Sequence, residues 1–128
     1  MAKGFELVLV DSSGWIEFLS DGPLADKFAP HFEREERLIV NAIVLYEVYK
    51  KLSSAHGLTA ADRFLSAASR ARFVPIDERL ALVAARVSLD RRLALADAMI
   101  YAAALAQGAH LVTSDSHFQG LPGATVIA

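Results

Sequence analysis

Four carboxylates of this 128-residue chain, Asp11, Glu47, Asp97 and Asp115, stand where solubility alone does not call for one. Asp11 directly follows the apolar run Leu7-Val8-Leu9-Val10, and Asp115 comes one residue after the run His110–Thr113. On a helix advancing about 100° per residue, Asp97 lines up with Ile100, Tyr101, Ala104 and Leu105. Glu47 falls beside Val44 and near Ile43, on the flank of the stripe Val44, Val48, Leu52. Three or four such groups in one pocket repel, and raised pKa values or bound cations relieve that repulsion. An oxygen-rich donor set suits Mg2+ or Mn2+, and two such ions stabilise the attacking and leaving oxygens of phosphodiester cleavage. Each residue also has a plainer reading. Asp97 is a first-turn aspartate favoured by the helix dipole, and Glu47 is placed to pair with Lys51 four residues on. Asp11 can be an Asx-type cap, and Asp115 a turn residue in Thr113-Ser114-Asp115-Ser116-His117.

Positioning these groups requires short strands that end at Asp11 and Asp115 and helices that carry the other two. Leu7–Val10, Leu38–Val40, Phe73–Ile76, His110–Thr113 and, more weakly, Thr125–Ile127 read as strands, with Pro75 marking an edge position or a strand end. Between them, Ser12 or Ser13 caps a helix through Leu19, and Pro23 opens a second reaching about His31. Asn41 caps a helix over Ala42–Ala55, Thr59 another to about Ala68, and Asp77 a third to about Leu89. Leu95–Gln107 is an alanine-rich helix closed by Gly108. Short apolar strands alternating with helices predict a three-layer α/β/α sandwich around a mainly parallel sheet of about five strands. In such sheets, sites form beyond the carboxyl ends of the strands. Asp11 and Asp115 meet there if their strands are neighbours.

Composition narrows the class. Apolar types make up 54% and charged types 22% of the chain, enough for a packed core. A mean hydropathy of +0.33 owes much to 23 alanines. The longest apolar run, Ala98–Ala106, is too short to span a bilayer. Lys3, Glu6 and Asp11 do not read as an export signal, so a cytoplasmic domain occupying residues 1–128 is expected. With no cysteine, disulfides, thiolate nucleophiles and zinc–thiolate sites are excluded. The net charge of −2 argues against gripping nucleic acid by bulk positive charge. It leaves room for an enzyme whose positive charge arrives as bound metal.

The segments Leu9-Val10-Asp11-Ser12-Ser13, Leu45-Tyr46-Glu47-Val48, Leu95-Ala96-Asp97-Ala98-Met99-Ile100 and Leu111-Val112-Thr113-Ser114-Asp115-Ser116-His117-Phe118 together resemble the PIN-domain family. Within it, they resemble the VapC-type ribonuclease toxins of prokaryotic toxin–antitoxin pairs. The resemblance runs through nearly the whole chain, and it implies a single PIN-like domain with a divalent-metal-dependent endoribonuclease activity. By the same resemblance Asp11, Glu47, Asp97 and Asp115 match the acidic quartet. Asp11 and Asp97 would be the main ligands of Mg2+ or Mn2+, with Glu47 and Asp115 ligating directly or through water. A metal-activated water would attack the phosphorus and leave a 3′-hydroxyl and a 5′-phosphate. Ser12 and Thr113 match small hydroxyl positions that would orient these carboxylates, with capping or turn satisfaction as the alternative. A homodimer and a VapB-like antitoxin are the implied partners. Some relatives carry another acidic residue three positions past the Asp115 equivalent, where this chain has Phe118 preceded by His117. His117 is read as an exposed turn residue, with RNA contact or proton transfer as the alternative.

Trp15 and Phe18 are read as core, with a dimer contact or an antitoxin groove as alternatives. The basic pairs Lys50-Lys51, Arg70 with Arg72, and Arg91-Arg92 are candidates to meet phosphates, with solvated or dipole-complementary helix ends as the plainer reading; Arg91-Arg92, shortly before Asp97, is the first to test. A PIN-like module that binds RNA or protein without cutting, and a metal phosphohydrolase of small esters, are the competing functions. Ser13 in the second position after Asp11 breaks the DxD pattern of the aspartyl-phosphate route. No phosphate-binding loop, nucleophile elbow or HExxH helix occurs.

Overall fold

A computed structural model describes residues 6–128; Lys3, part of the reading against an export signal, lies outside them. Strands β1 (Val8–Val10), β2 (Leu38–Asn41), β3 (Arg72–Val74), β4 (His110–Thr113) and β5 (Ala124–Val126) form one parallel sheet in the order β3-β2-β1-β4-β5. Parallel neighbours cannot be joined by tight hairpins, so the connections carry helices onto the sheet. These are α1 (Ser12–Leu19), α2 (Ala25–Phe28), α3 (Ala42–His56), α4 (Leu58–Ala68), α5 (Glu78–Arg91) and α6 (Leu95–Gln107). The α/β sandwich expected from the alternating pattern is the fold observed. Leu9, Val10, Ile39, Val40, Leu111 and Val112 are all buried, as strands covered on both faces require.

Several boundaries differ from the expected ones, each for a local reason. The helix expected from Pro23 to His31 is α2 alone; from Ala29 to Phe32, around Pro30, the chain tightens into a 3-10 turn. Residue 57, not Thr59, caps α4, because Gly57 at φ +91° turns the chain directly from α3 into it. Asp11, rather than Ser12 or Ser13, is the cap residue of α1, and its side chain makes no capping bond. Pro75 falls just past β3, which is an edge strand. Asn41 and Asp77 do cap α3 and α5, accepting from Val44 N at 3.1 Å and Leu80 N at 2.9 Å.

Trp15 is core, packed edge-on to Phe32 and Phe64 at 4.7 and 5.2 Å between ring centres. Phe18, partly buried, stacks on Phe32 at 4.5 Å. Just before Trp15, Gly14 lets α1 lie against the end of β1. A Cβ there would stand 2.5 Å from Val10 Cγ1 and 2.6 Å from the Phe28 ring, and both side chains are fully buried. Gly14→Ala is therefore expected to destabilise the protein by about 1–3 kcal/mol, although alanine is the better helix former. Urea denaturation of the two proteins measures it; a stabilised Gly14→Ala protein would contradict this packing. No helix among the described residues is long and apolar enough to cross a membrane.

The strand order runs outward from β1 through β2 to β3, then resumes with β4 on the other side of β1. The reversal opens a crevice beyond the carboxyl ends of β1 and β4.

Candidate functional site

β1 and β4 pair in register, Val10 opposite Val112, and Asp11 N donates to Val112 O at 2.9 Å. That pairing is the neighbour relation on which the meeting of Asp11 and Asp115 depended. Asp11 is 4% exposed. Its carboxylate is held by hydroxyls: Thr113 Oγ1 donates to Oδ2 at 2.7 Å, Ser13 Oγ to Oδ2 at 3.2 Å, and Ser12 Oγ lies 3.3 Å from Oδ1. A hydroxyl has one proton to give, and Ser12 makes its shorter bond, 2.7 Å, to Glu47 Oε1. Ser12 thus bridges the first carboxylate to α3, where the Asn41 cap fixes the helix start. Asn41 Nδ2 also donates to Met99 O, tying α3 to α6.

Glu47 forms no ion pair with Lys51 among the described residues; it faces the crevice instead. Asp97 lies in the first turn of α6. Asp115 caps a 3-10 turn, Ser116–Phe118, accepting from His117 N at 2.9 Å, while its own N–H donates to Thr113 Oγ1 at 2.9 Å. Buried Phe118 anchors that turn. Asp97, Asp115 and His117 each present a ligating atom within 4.8 Å of the others.

The charges of the quartet act on one another. Burial pushes the Asp11 carboxyl up, offset in part by the hydroxyls and reinforced by Asp115. Burial also raises Glu47, against the Ser12 bond and with the charges of Asp11, Asp97 and Asp115. Asp97 is raised by burial and then by Asp115 and Asp11. Among the described residues no lysine or arginine forms an ion pair with any of the four. This donor set, hard oxygens with unbalanced negative charge, fits a divalent cation.

Thr113, expected as an orienting hydroxyl or a turn residue, touches two members of the quartet through one oxygen. Thr113→Val keeps the shape but leaves Asp115 N without its partner, at a cost of about 1–3 kcal/mol. By loosening the Asp11 carboxylate and the backbone that carries Asp115, it is expected to slow any metal-dependent reaction by roughly 10–100-fold. Turnover and urea melts of the variant check this, and unchanged turnover would assign Thr113 to turn structure alone. Ser13 was expected only as a cap. Its bond to Asp11, and its acceptance from Ser114 N at 3.0 Å, make it a further positioning residue. The run of two hydroxyls after Asp11 was the available sequence signal.

The basic candidates separate. Arg70 pairs with Glu35 at 2.6 Å, Arg72 bonds Gln107, and Lys50 contacts the Tyr46 hydroxyl and ring. Arg91 and Arg92 line a pocket of about 270 Å³ with Leu93, Ala94, Asp97 and His117. A larger pocket of about 410 Å³, between the start of α5 and the end of α6, holds no member of the quartet.

The PIN domain profile matches residues 8–124 of the chain. No curated protein matches. Among solved structures, a toxin–antitoxin complex from Klebsiella pneumoniae contains a chain 22% identical, with a TM-score of 0.80 over 93% of this chain and 96% of that one. VapC20 of Mycobacterium tuberculosis, described as a sarcin–ricin loop-cleaving toxin, is 15% identical with a TM-score of 0.69, covering 94% and 89%. PAE2754 of Pyrobaculum aerophilum is 23% identical with a TM-score of 0.72, covering 94% and 89%. At these identities the likeness is one of fold.

Proposed function

The chain belongs to the PIN-domain family, and from that membership and the chemistry of its crevice we propose that it is a divalent-metal-dependent endoribonuclease, the toxin of a VapBC-type toxin–antitoxin pair. The observation that carries this reading is the convergence of Asp11, Glu47, Asp97 and Asp115 at the β1–β4 crevice without a lysine or arginine to balance them. These four are the proposed metal ligands, directly or through water, for Mg2+ or Mn2+. When bound, the ion supplies Lewis acidity toward a phosphodiester and a water of lowered pKa. The chain's own residues do the positioning: Thr113 and Ser13 fix the Asp11 carboxylate, Ser12 holds Glu47, and the His117 N–H holds Asp115.

Arg91 and Arg92 are the proposed contacts to RNA phosphates flanking the cut. Arg92 ends α5 in the left-handed region at φ +58°, which costs a non-glycine residue about 1–2 kcal/mol. Arg92→Gly is expected to raise the melting temperature while raising KM for RNA and flattening its salt dependence. KM and melting measured on the same preparation test the pair of effects. An unchanged KM would remove Arg92 from substrate binding.

The toxin–antitoxin complexes among the structural neighbours support a VapB-like antitoxin as partner. Leu82, Leu89 and Leu95, all exposed on α5 and α6, support a homodimer formed through that face. The proposed setting is the cytoplasm. The deciding experiment is cleavage of an RNA by the purified protein with Mn2+ or Mg2+. Strand scission that stops with EDTA and leaves 5′-phosphates and 3′-hydroxyls is the expected result; scission indifferent to EDTA overturns the mechanism. No scission together with no Mn2+ binding at millimolar metal would favour the non-cutting module that the net charge of −2 also suits.

A further inference from the structure

His117 is largely solvated, with a side chain 72% exposed, yet it is not a free surface histidine. Its Nδ1 lies 3.4 Å from Asp97 Oδ2 and 3.3 Å from Asp115 Oδ1. Donors at adjacent corners of an octahedron with metal–ligand bonds of about 2.1 Å stand roughly 3 Å apart. The imidazole nitrogen thus stands from each carboxylate oxygen at nearly the separation of neighbouring ligands, and all three atoms lie within 4.8 Å of one another. The turn that carries the ring is held from below: the His117 backbone N–H donates to Asp115 Oδ1 at 2.9 Å, and fully buried Phe118 pins the turn.

A second observation concerns the floor of the same crevice. Asp11 is 4% exposed and its side-chain partners are neutral hydroxyls, so a buried carboxylate faces the site without a counter-ion among the described residues. A charged imidazole would balance Asp97 and Asp115 from the rim and leave Asp11 uncompensated. A divalent cation at the rim would also offset the charge of Asp11, which couples to both Asp97 and Asp115.

We infer that His117 is a direct nitrogen ligand, with Asp97 and Asp115, of the divalent ion bound in this crevice, which makes the site a mixed imidazole–carboxylate one. The inference rests on the metal-binding part of the proposed function. Imidazole suits transition metals, whereas Mg2+ prefers oxygen donors and retained waters. His117 therefore biases the site toward Mn2+ over Mg2+.

The test loads the full chain with Mn2+ and records its pulsed electron-spin-echo spectrum, beside calorimetric titrations with Mn2+ and with Mg2+. Wild type, His117→Asn and Asp97→Asn are compared. The chain's other histidines, His31, His56 and His110, lie outside the cluster. The expected result is a nitrogen modulation from coordinated imidazole in wild type that vanishes in His117→Asn. The same substitution is expected to weaken Mn2+ about 10-fold or more and Mg2+ much less. Tight Mn2+ binding that Asp97→Asn weakens, but with no nitrogen modulation in wild type, overturns the role of His117 and leaves the metal site standing. A nitrogen signal that persists in His117→Asn also overturns it. Absence of Mn2+ binding in wild type overturns both the ligand assignment and the metal-dependent reading beneath it.

Discussion

Asp11→Asn is expected to lower RNA cleavage by about 10²–10³-fold or more while leaving the metal-free protein at least as stable as wild type at neutral pH. The two halves of this result come from the same burial. At 4% exposure Asp11 is the most buried of the four carboxylates, where its charge would contribute most to holding the proposed cation. An amide of the same shape still accepts from Thr113 Oγ1 but offers no charge. Without metal, that charge is a liability: burial disfavours it, and Asp115 repels it. Removing it costs one ionic acceptor and relieves the repulsion. Single-turnover cleavage and thermal melts on the same samples check both halves. Unchanged cleavage would remove Asp11 from the chemistry, and a melt lowered by many degrees would mean that the substitution had broken the fold instead.

The second large effect is a dependence of stability on pH that metal reverses. Asp11, Glu47 and Asp97 all ionise at higher pH in the folded chain than in the unfolded one. Between the two values the folded state holds more protons, so its stability falls as pH rises. Their contribution is fully present below the ordinary values of 3.8 and 4.5 and is lost as pH climbs through the raised ones. Two other groups act with the opposite sign. His31, lowered by burial and by His110, adds stability as pH rises toward 6.5. Glu36, lowered by its own backbone and by Arg34, acts only at the acid end. The difference between wild type and Asp11→Asn isolates the site, and in EDTA that difference is expected to turn against wild type as pH rises from about 4 to 7. Adding Mn2+ to about 100 times its Kd stabilises wild type by about 2.7 kcal/mol, roughly 10 °C for a domain of this size. Because the ligands must be deprotonated, the gain is larger at pH 7 than at pH 5. Scanning calorimetry across that range tests it; equal melts with Mn2+ and with EDTA at pH 7 would exclude a metal site in this crevice.

The strand ends that carry Asp11 and Asp115 were legible as short apolar runs, because a strand buried on both faces has no polar alternation to hide it. Their adjacency was not legible. It depends on β4 inserting beside β1 rather than extending the sheet at an edge, a choice made by the packing of all the helices. Asp97 and Glu47 were legible as misfits, carboxylates on or beside an apolar stripe. The hydroxyl bridge from Ser12 to Glu47 was not, since it spans 35 residues and one rotamer. His117 shows the same division. Its exposure was foreseen from turn composition, but its contact with Asp97 depends on how tightly the turn Ser116–Phe118 curls over buried Phe118.

The strand order also fixes when the proposed site can be complete. A ribosome delivers β1, β2 and β3 first, then α5 and α6, and only afterwards the β4 strand that must slot in beside β1. Until residue 115 has been made and has cleared the exit tunnel, the crevice lacks one wall and the proposed metal site lacks one ligand. On the proposed function, a nascent chain would then not cut the ribosome or messenger producing it. An abandoned fragment that stops before β4 would lack the proposed site as well, because it has Asp11 but no Thr113 to hold that carboxylate and no Asp115 beside it.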